Sequence, residues 1–177
     1  METPDSVQKN IEATVALAKK SDVAILVLGE TRSLVGESLS RLSLDLPGFQ
    51  QELLKAVHQT GTPTVLVLLN GRPLTINWAD QNIPAIVEGW FPGEFTGQAI
   101  ADVIFGDYNP GGKLPITFPK SVGQIPLNFP HKPGTQAKGW ARELGPLYPF
   151  GYGLSYTEFT YSDLTVRPQE GRTSSSF

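Results

Sequence analysis

Hydrophobic positions alternate between two rhythms over residues 3–118: short unbroken apolar runs, and longer segments whose apolar residues stand three or four apart. Residues 3–20 have the helical spacing, with Val7, Ile11, Val15 and Leu17 near one face, Pro4 in the first turn and Thr3 or Asp5 as cap. Residues 22–28 are a continuous run rich in Val, Ile and Leu, the pattern of a strand covered on both faces, and a strand is expected over 23–28. A long polar loop follows, then a helix over 47–60 stopped by Gly61, and a second buried-type strand over 64–69. The turn N-G-R-P at 70–73 leads through a polar stretch to a third strand, 85–90. A helix over 95–105, closed by Gly106, and a short strand over 114–118 complete the series. This alternation predicts an α/β fold: a three-layer α/β/α sandwich with a mostly parallel sheet and right-handed crossovers.

Beyond Pro119 the rhythm fades. Pro and Gly recur every few residues, and Phe129, Trp140, Tyr148, Phe150, Tyr152 and Tyr156 stand in loop contexts, which predicts a Pro/Gly-rich wrap around the sandwich rather than a second core. Residues 159–166 then alternate with period two, a strand signal. A lone strand is not stable by itself. The expected division is therefore a sandwich domain over 1–157, and over 158–177 the start of a further domain or a disordered tail.

Composition narrows the class. The 177 residues, 40% hydrophobic, suffice for one sizeable core. A net charge of −3 without a basic cluster argues against nucleic acid or an anionic membrane surface as partner. The first residues, M-E-T-P-D-S-V-Q-K, lack the basic and apolar regions of a signal peptide, and no run approaches membrane-spanning length, so the residues as given are expected to be soluble and unexported. With no cysteine, disulfides, thiol catalysis and cysteine metal sites are excluded together. No phosphate loop, zinc helix or nucleophile elbow occurs, and Gly151 and Gly153 lack the third glycine of a dinucleotide fingerprint, so neither metal nor cofactor is expected. Of the two histidines, His58 reads as a solvated or packed helix residue; His131, in a Pro-rich loop near aromatics, is a candidate ligand contact for which a structural role carries more weight.

Candidate chemistry lies in residues 29–50, G-E-T-R-S-L-V-G-E-S-L-S-R-L-S-L-D-L-P-G-F-Q. They put Glu30 and Glu37 on a polar loop at the C-terminal end of a strand, where open α/β sheets keep their ligand crevices. Position alone makes neither carboxylate catalytic. V-G-E-S-L-S-R followed by L-D-L-P-G-F-Q, then L-N-G-R-P-L, W-F-P-G, A-I-A-D-V-I-F-G-D-Y-N-P-G-G-K-L-P, S-V-G-Q-I-P and Y-P-F-G-Y-G-L-S-Y form an ordered series. That series resembles the C-terminal α/β sandwich domain of glycoside hydrolase family 3, the β-glucosidase and β-xylosidase family.

The resemblance implies a barrel domain ahead of the sandwich, and often a fibronectin type III-like domain after it, where 159–166 would begin. It also implies that Glu37 is the general acid/base of a retaining hydrolase. Such an enzyme needs one protonated carboxyl for the glycosidic oxygen and a nucleophilic carboxylate about 5 Å away. In the family the nucleophile is an Asp of the barrel, in a motif resembling S-D-W, and these 177 residues contain none. The implied partners are thus a β-glycoside or oligosaccharide substrate and the N-terminal barrel of a parent enzyme, and this chain alone is expected to be catalytically silent. Export of the parent rests only on resemblance to periplasmic or secreted relatives.

Glu30, directly ending the strand, is expected to cap or orient the loop, and Arg41 to hold it by pairing with a carboxylate. Phe91 and Trp140 are candidates for stacking on a sugar face, with packing an equally good account. One departure stands out: many members place Glu and two small residues after the W-F-P-G turn, whereas here Glu94 is followed by Phe95, so no role is carried over to Glu94. Two other readings remain open. One is a non-catalytic carbohydrate- or protein-binding module, which would bind sugar without Glu37; the other, a flavodoxin-like domain, lacks the expected phosphate loop and acidic cluster.

Overall fold

The computed structural model describes residues 3–127, 129 and 145–166. Three parallel strands, β1 (Ala24–Gly29), β2 (Thr64–Leu69) and β3 (Ala85–Glu88), pair in the order β1-β2-β3. Ala24 stands opposite Thr64 and Gly29 opposite Leu69, so β1 and β2 end level with each other. Among the described residues four α-helices accompany them: α1 (Pro4–Ala18), α2 (Gln50–His58), α3 (Asn77–Asn82) and α4 (Thr96–Phe105). The fold is α/β with a parallel sheet, as predicted.

Strand alternation decides what is buried. Leu26 and Leu28 of β1 and Leu66 and Leu68 of β2 share one face, where they join Leu54 and Val57 of α2, Ala79 of α3 and the loop residues Leu46, Leu74 and Ile76 in a single core. Each fully buried aliphatic side chain contributes about 1.5–3 kcal/mol, so this cluster carries the fold. The opposite face holds Leu69, and a Cβ placed on Gly89 would lie within 3.2 Å of both Leu69 and Ile100, which brings α4 to that side. The same face of β1 is less covered than its apolar sequence suggests: Ile25 and Val27 are 43% and 57% exposed among the described residues.

The helix starts follow the sequence. Thr3 caps α1 through a capping box, its hydroxyl accepting from the Ser6 N–H while the Ser6 hydroxyl accepts from the Thr3 N–H. Gly106 closes α4 in the left-handed conformation, φ 86°. Helix α3 was not legible, since six residues rich in Asn and Asp show no apolar repeat. Packing makes it, with Ala79 wholly buried and Trp78 edge-on to His58 at 5.4 Å.

Two strand expectations come out differently. Residues 114–118 stay outside the sheet and pair instead with the returning wrap: the Leu114 N–H donates to the Tyr152 carbonyl, and Phe118 and Tyr148 form an antiparallel bridge. Residues 159–166 form no strand, and Phe159, Tyr161, Leu164 and Val166 are all at least 77% exposed. Alternation without a pairing partner is insufficient to make a strand.

Candidate active site

The site is built outward from the last residue of β1. Gly29 has φ 137°, and a Cβ there would sit 2.0 Å from the Leu69 carbonyl oxygen, so only glycine fits beside β2. On its other side the Gln50 amide takes the place of a neighbouring strand: the Gly29 N–H donates to Gln50 Oε1 at 2.7 Å, and Gln50 Nε2 donates to the Gly29 carbonyl at 2.9 Å. The Glu30 N–H donates to the Leu69 carbonyl at 2.9 Å, so backbone bonding carries the strand one residue further. Glu30 is therefore held rigidly at the mouth of the sheet.

Its side chain is fully buried and turned back into the protein. Oε1 accepts from Arg41 Nη1 at 2.8 Å and lies 3.1 Å from Arg72 Nε, while Oε2 accepts from the Gly71 N–H at 3.2 Å. A buried carboxylate survives only when its lone pairs are met in this way. The two guanidiniums then reach on to the loop. Arg41 Nη2 donates to the Asp45 carbonyl at 2.7 Å, and Arg72 Nη2 donates to the carbonyls of Leu34 at 2.8 Å and Leu39 at 3.2 Å. The far end is pinned separately: the Thr75 N–H donates to the Leu44 carbonyl at 2.9 Å, and the Thr75 hydroxyl to Asp45 Oδ1.

Between these ties the loop projects outward. A short 3₁₀ turn over Arg32–Leu34 leads to Gly36 (φ 150°), exposed Glu37 and Ser38 (φ 65°). Among the described residues no group bonds the Glu37 carboxylate. Phe91, 52% exposed, stands at the base of this tip: a Cβ on Gly71 would meet Val35 Cγ1 at 2.5 Å and Phe91 Cε2 at 2.9 Å. The N-G-R-P turn thus forms the floor on which loop and Phe91 both rest. His131 and Trp140 lie outside the described residues. The structure therefore sets Phe91 beside Gly71 and Val35, at the base of the loop that carries Glu37, and anchors that loop through Glu30 and Arg41.

Sequence reasoning missed the residues that complete this anchor. Arg72 and Gly71 were legible only as a turn, although both follow β2 at the same sheet edge as Glu30; Gln50 looked like any helix-start polar residue. Glu88, the last residue of β3, was also missed. Burial raises its pKa to about 7 against two opposing hydrogen bonds, from the Trp90 N–H to Oε1 at 3.1 Å and from Asn70 Nδ2 to Oε2 at 3.4 Å. Asn70 is itself wholly buried and also donates to the Arg72 carbonyl at 2.9 Å, linking Glu88 to the same floor.

Below the floor an open, mainly apolar trough of about 640 Å³ runs along the wrap past Leu44, Arg72, Thr117 and Pro126, with the rings of Phe129 and Phe150 stacked at 4.8 Å on its wall. Among the described residues no three His, Asp or Glu side chains converge as a metal site would require. No described helix is long and apolar enough to cross a membrane.

Comparison with known proteins places this arrangement. A periplasmic β-glucosidase of Salmonella typhimurium is 49% identical over 174 residues, 92% of this chain and 23% of that protein. A β-xylosidase of Formosa agariphila is 49% identical over 151 residues, 83% of this chain and 21% of that protein. Among solved structures, a β-glucosidase from Erythrobacter marinus superposes with a TM-score of 0.81 at 40% identity, covering 92% of this chain and 22% of that one. The β-glucosidase of Listeria innocua in complex with isofagomine gives 0.77 at 36% identity, covering 85% and 23%. The chain thus spans less than a quarter of each of these proteins. Residues 3–156 match the profile of the glycosyl hydrolase family 3 C-terminal domain, and with the shared fold and the shared sequence this settles the matter: the chain belongs to that family.

Proposed function

We propose that this chain is the C-terminal sandwich of a retaining β-glycosidase, that Glu37 is its general acid/base, and that the nucleophilic carboxylate comes from an N-terminal barrel domain. The observation that carries the reading is the exposure of Glu37 on a loop tip whose base is fixed to the C-terminal edge of the parallel sheet. An acid that serves a site completed by another domain must project while its support stays rigid, and this loop does both. Protonation of the leaving oxygen by such a group accelerates cleavage by about 10²- to 10⁴-fold. The same carboxylate, ionised after the first step, would draw a proton from the water that releases the sugar with net retention. The substrate is a terminal β-linked sugar of a glycoside or oligosaccharide, with Phe91 at the rim as an apolar face for a sugar or aglycone. Residues 158–177 would open a following fibronectin type III-like domain or form a disordered tail.

Without a nucleophile the isolated chain turns nothing over. The test is hydrolysis of aryl β-glucosides and β-xylosides by the chain alone and by the chain mixed with its barrel domain. Activity only in the mixture, abolished by Glu37→Ala and partly restored by azide, supports the assignment; undiminished activity in the Glu37→Ala mixture removes it. The binding-module alternative draws on the aromatic trough beside Phe129 and Phe150. It requires sugar affinity in the chain alone that Glu37→Ala leaves unchanged.

A further inference from the structure

Resting on the assignment of Glu37 as the acid, we infer that Glu30 is a positioning residue for it, acting through Arg72 and Arg41. The connection is short and fully specified. The Glu30 side chain, one residue past the end of β1, is wholly buried and meets three partners: hydrogen bonds from Arg41 and the Gly71 N–H and an ion pair with Arg72. Arg72 passes this anchor to the carbonyls of Leu34 and Leu39, three residues before Glu37 and two after it. Arg41 passes it to the Asp45 carbonyl, where the loop rejoins the body. The tip is therefore gripped at both of its shoulders by one guanidinium whose direction Glu30 sets. Neither arginine has another carboxylate partner among the described residues.

The chemistry of the anchor explains why a glutamine would not serve. Two carboxylate oxygens of Glu30 meet three partners. The glutamine amide has one oxygen and one N–H₂, so in its place a donor would face either the Gly71 N–H or the guanidiniums. A guanidinium released at that point loses its fixed fork, and with it the simultaneous grip on Leu34 and Leu39. A displacement of about 1 Å in the acid is enough to cost about 10²-fold in rate.

The test separates positioning from bulk stability by the leaving group. Departure of 2,4-dinitrophenolate needs no proton, whereas departure of methoxide does, so only the second senses the acid. kcat/KM is measured on 2,4-dinitrophenyl and methyl β-glycosides of whichever sugar the enzyme cleaves, with this chain in place beside its barrel domain. The variants are Glu30→Gln, Arg72→Lys and Glu37→Ala, and the folded fraction of each is fixed by thermal unfolding. Arg72→Lys retains the charge next to Glu30 but cannot hold both carbonyls, and it carries the test if Glu30→Gln fails to fold. Glu30→Gln is expected to lose about 100-fold, and Arg72→Lys about 10-fold, on the methyl glycoside, each with less than about 2-fold loss on the dinitrophenyl glycoside. Equal losses on both substrates, or none, while Glu37→Ala keeps the disparity, would overturn the positioning role and leave the acid assignment intact. Absence of the disparity in Glu37→Ala itself would overturn both.

Discussion

The end of β1 and the tip of the loop after it each present a glutamate, seven positions apart, in opposite physical states. The Glu30 side chain is fully buried, accepts hydrogen bonds from Arg41 and the Gly71 N–H and is ion-paired with Arg72; Glu37 is exposed and unbonded among the described residues. On the proposed assignment of Glu37 as the acid, the difference teaches that the more elaborate environment marks the support, not the reacting group. A carboxylate whose oxygens are already taken up by cations and amides has nothing left to offer a substrate. A reacting acid in a site completed by a second domain must instead keep its oxygens free until that domain arrives.

The largest expected effect comes from emptying the support. Glu30→Ala leaves two mostly buried guanidiniums without a counter-charge and should destabilise the protein by about 3–5 kcal/mol, read as a lowered urea midpoint with unchanged slope. A cost below about 1 kcal/mol would erase the contrast between the two glutamates.

Glu88 sharpens the comparison as a third case, partly buried but with no ion-pair partner among the described residues. Its pKa is raised from 4.5 to about 7 by burial, so the folded state binds this proton more tightly than the unfolded state. The stability it contributes is fully present below pH 4.5 and is lost as pH rises through 7. Between pH 5 and pH 8 denaturant unfolding should show a loss on the order of 2 kcal/mol from this group, and Glu88→Gln should flatten that slope. A slope unchanged by Glu88→Gln would show that the proton is bound elsewhere.

Gly71→Ala probes the floor between the regions. Its methyl group would overlap Val35 and Phe91, both of which must move, so a cost of about 1–3 kcal/mol is expected with increased protease cleavage in the loop. The smallest effect belongs to the tip: Glu37→Ala should change stability by less than about 0.5 kcal/mol in the same urea titration. A larger loss would mean that Glu37 is part of the support after all.

Much of this organisation was legible in the sequence, for identifiable reasons. The run from Ile25 to Leu28 announced β1 because a buried parallel strand needs unbroken apolar residues, and Gly61 and Gly106 announced helix ends because they accept the left-handed conformation. Glu30 as loop orienter followed from its place at the strand end, and Arg41 was expected to pair with a carboxylate, which proves to be Glu30. Arg72 was hidden because nothing local links a turn after β2 to a carbonyl 38 residues earlier; only the parallel register brings them together. Helix α3 was hidden because tertiary packing, not periodicity, forms it. The exposure of Ile25 and Val27 shows the converse limit, that an apolar sequence states what a surface is suited to meet and not what covers it.

Gln50 has one more consequence, concerning how far the sheet can grow. The N–H groups of Ala24 and Glu30 bond on the side of Pro63 and Leu69, so by alternation those of Ile25 and Val27 point to the other edge, along with Gly29. At Gly29 that edge is already closed by the Gln50 amide, whereas at Ile25 and Val27 it offers a backbone ladder. A strand arriving from outside could zip onto β1 only as far as Val27 and would be halted one step short of the rim. Gln50 is in this sense a doorstop: it lets the scaffold widen while keeping the entrance above Glu30 from being paved over.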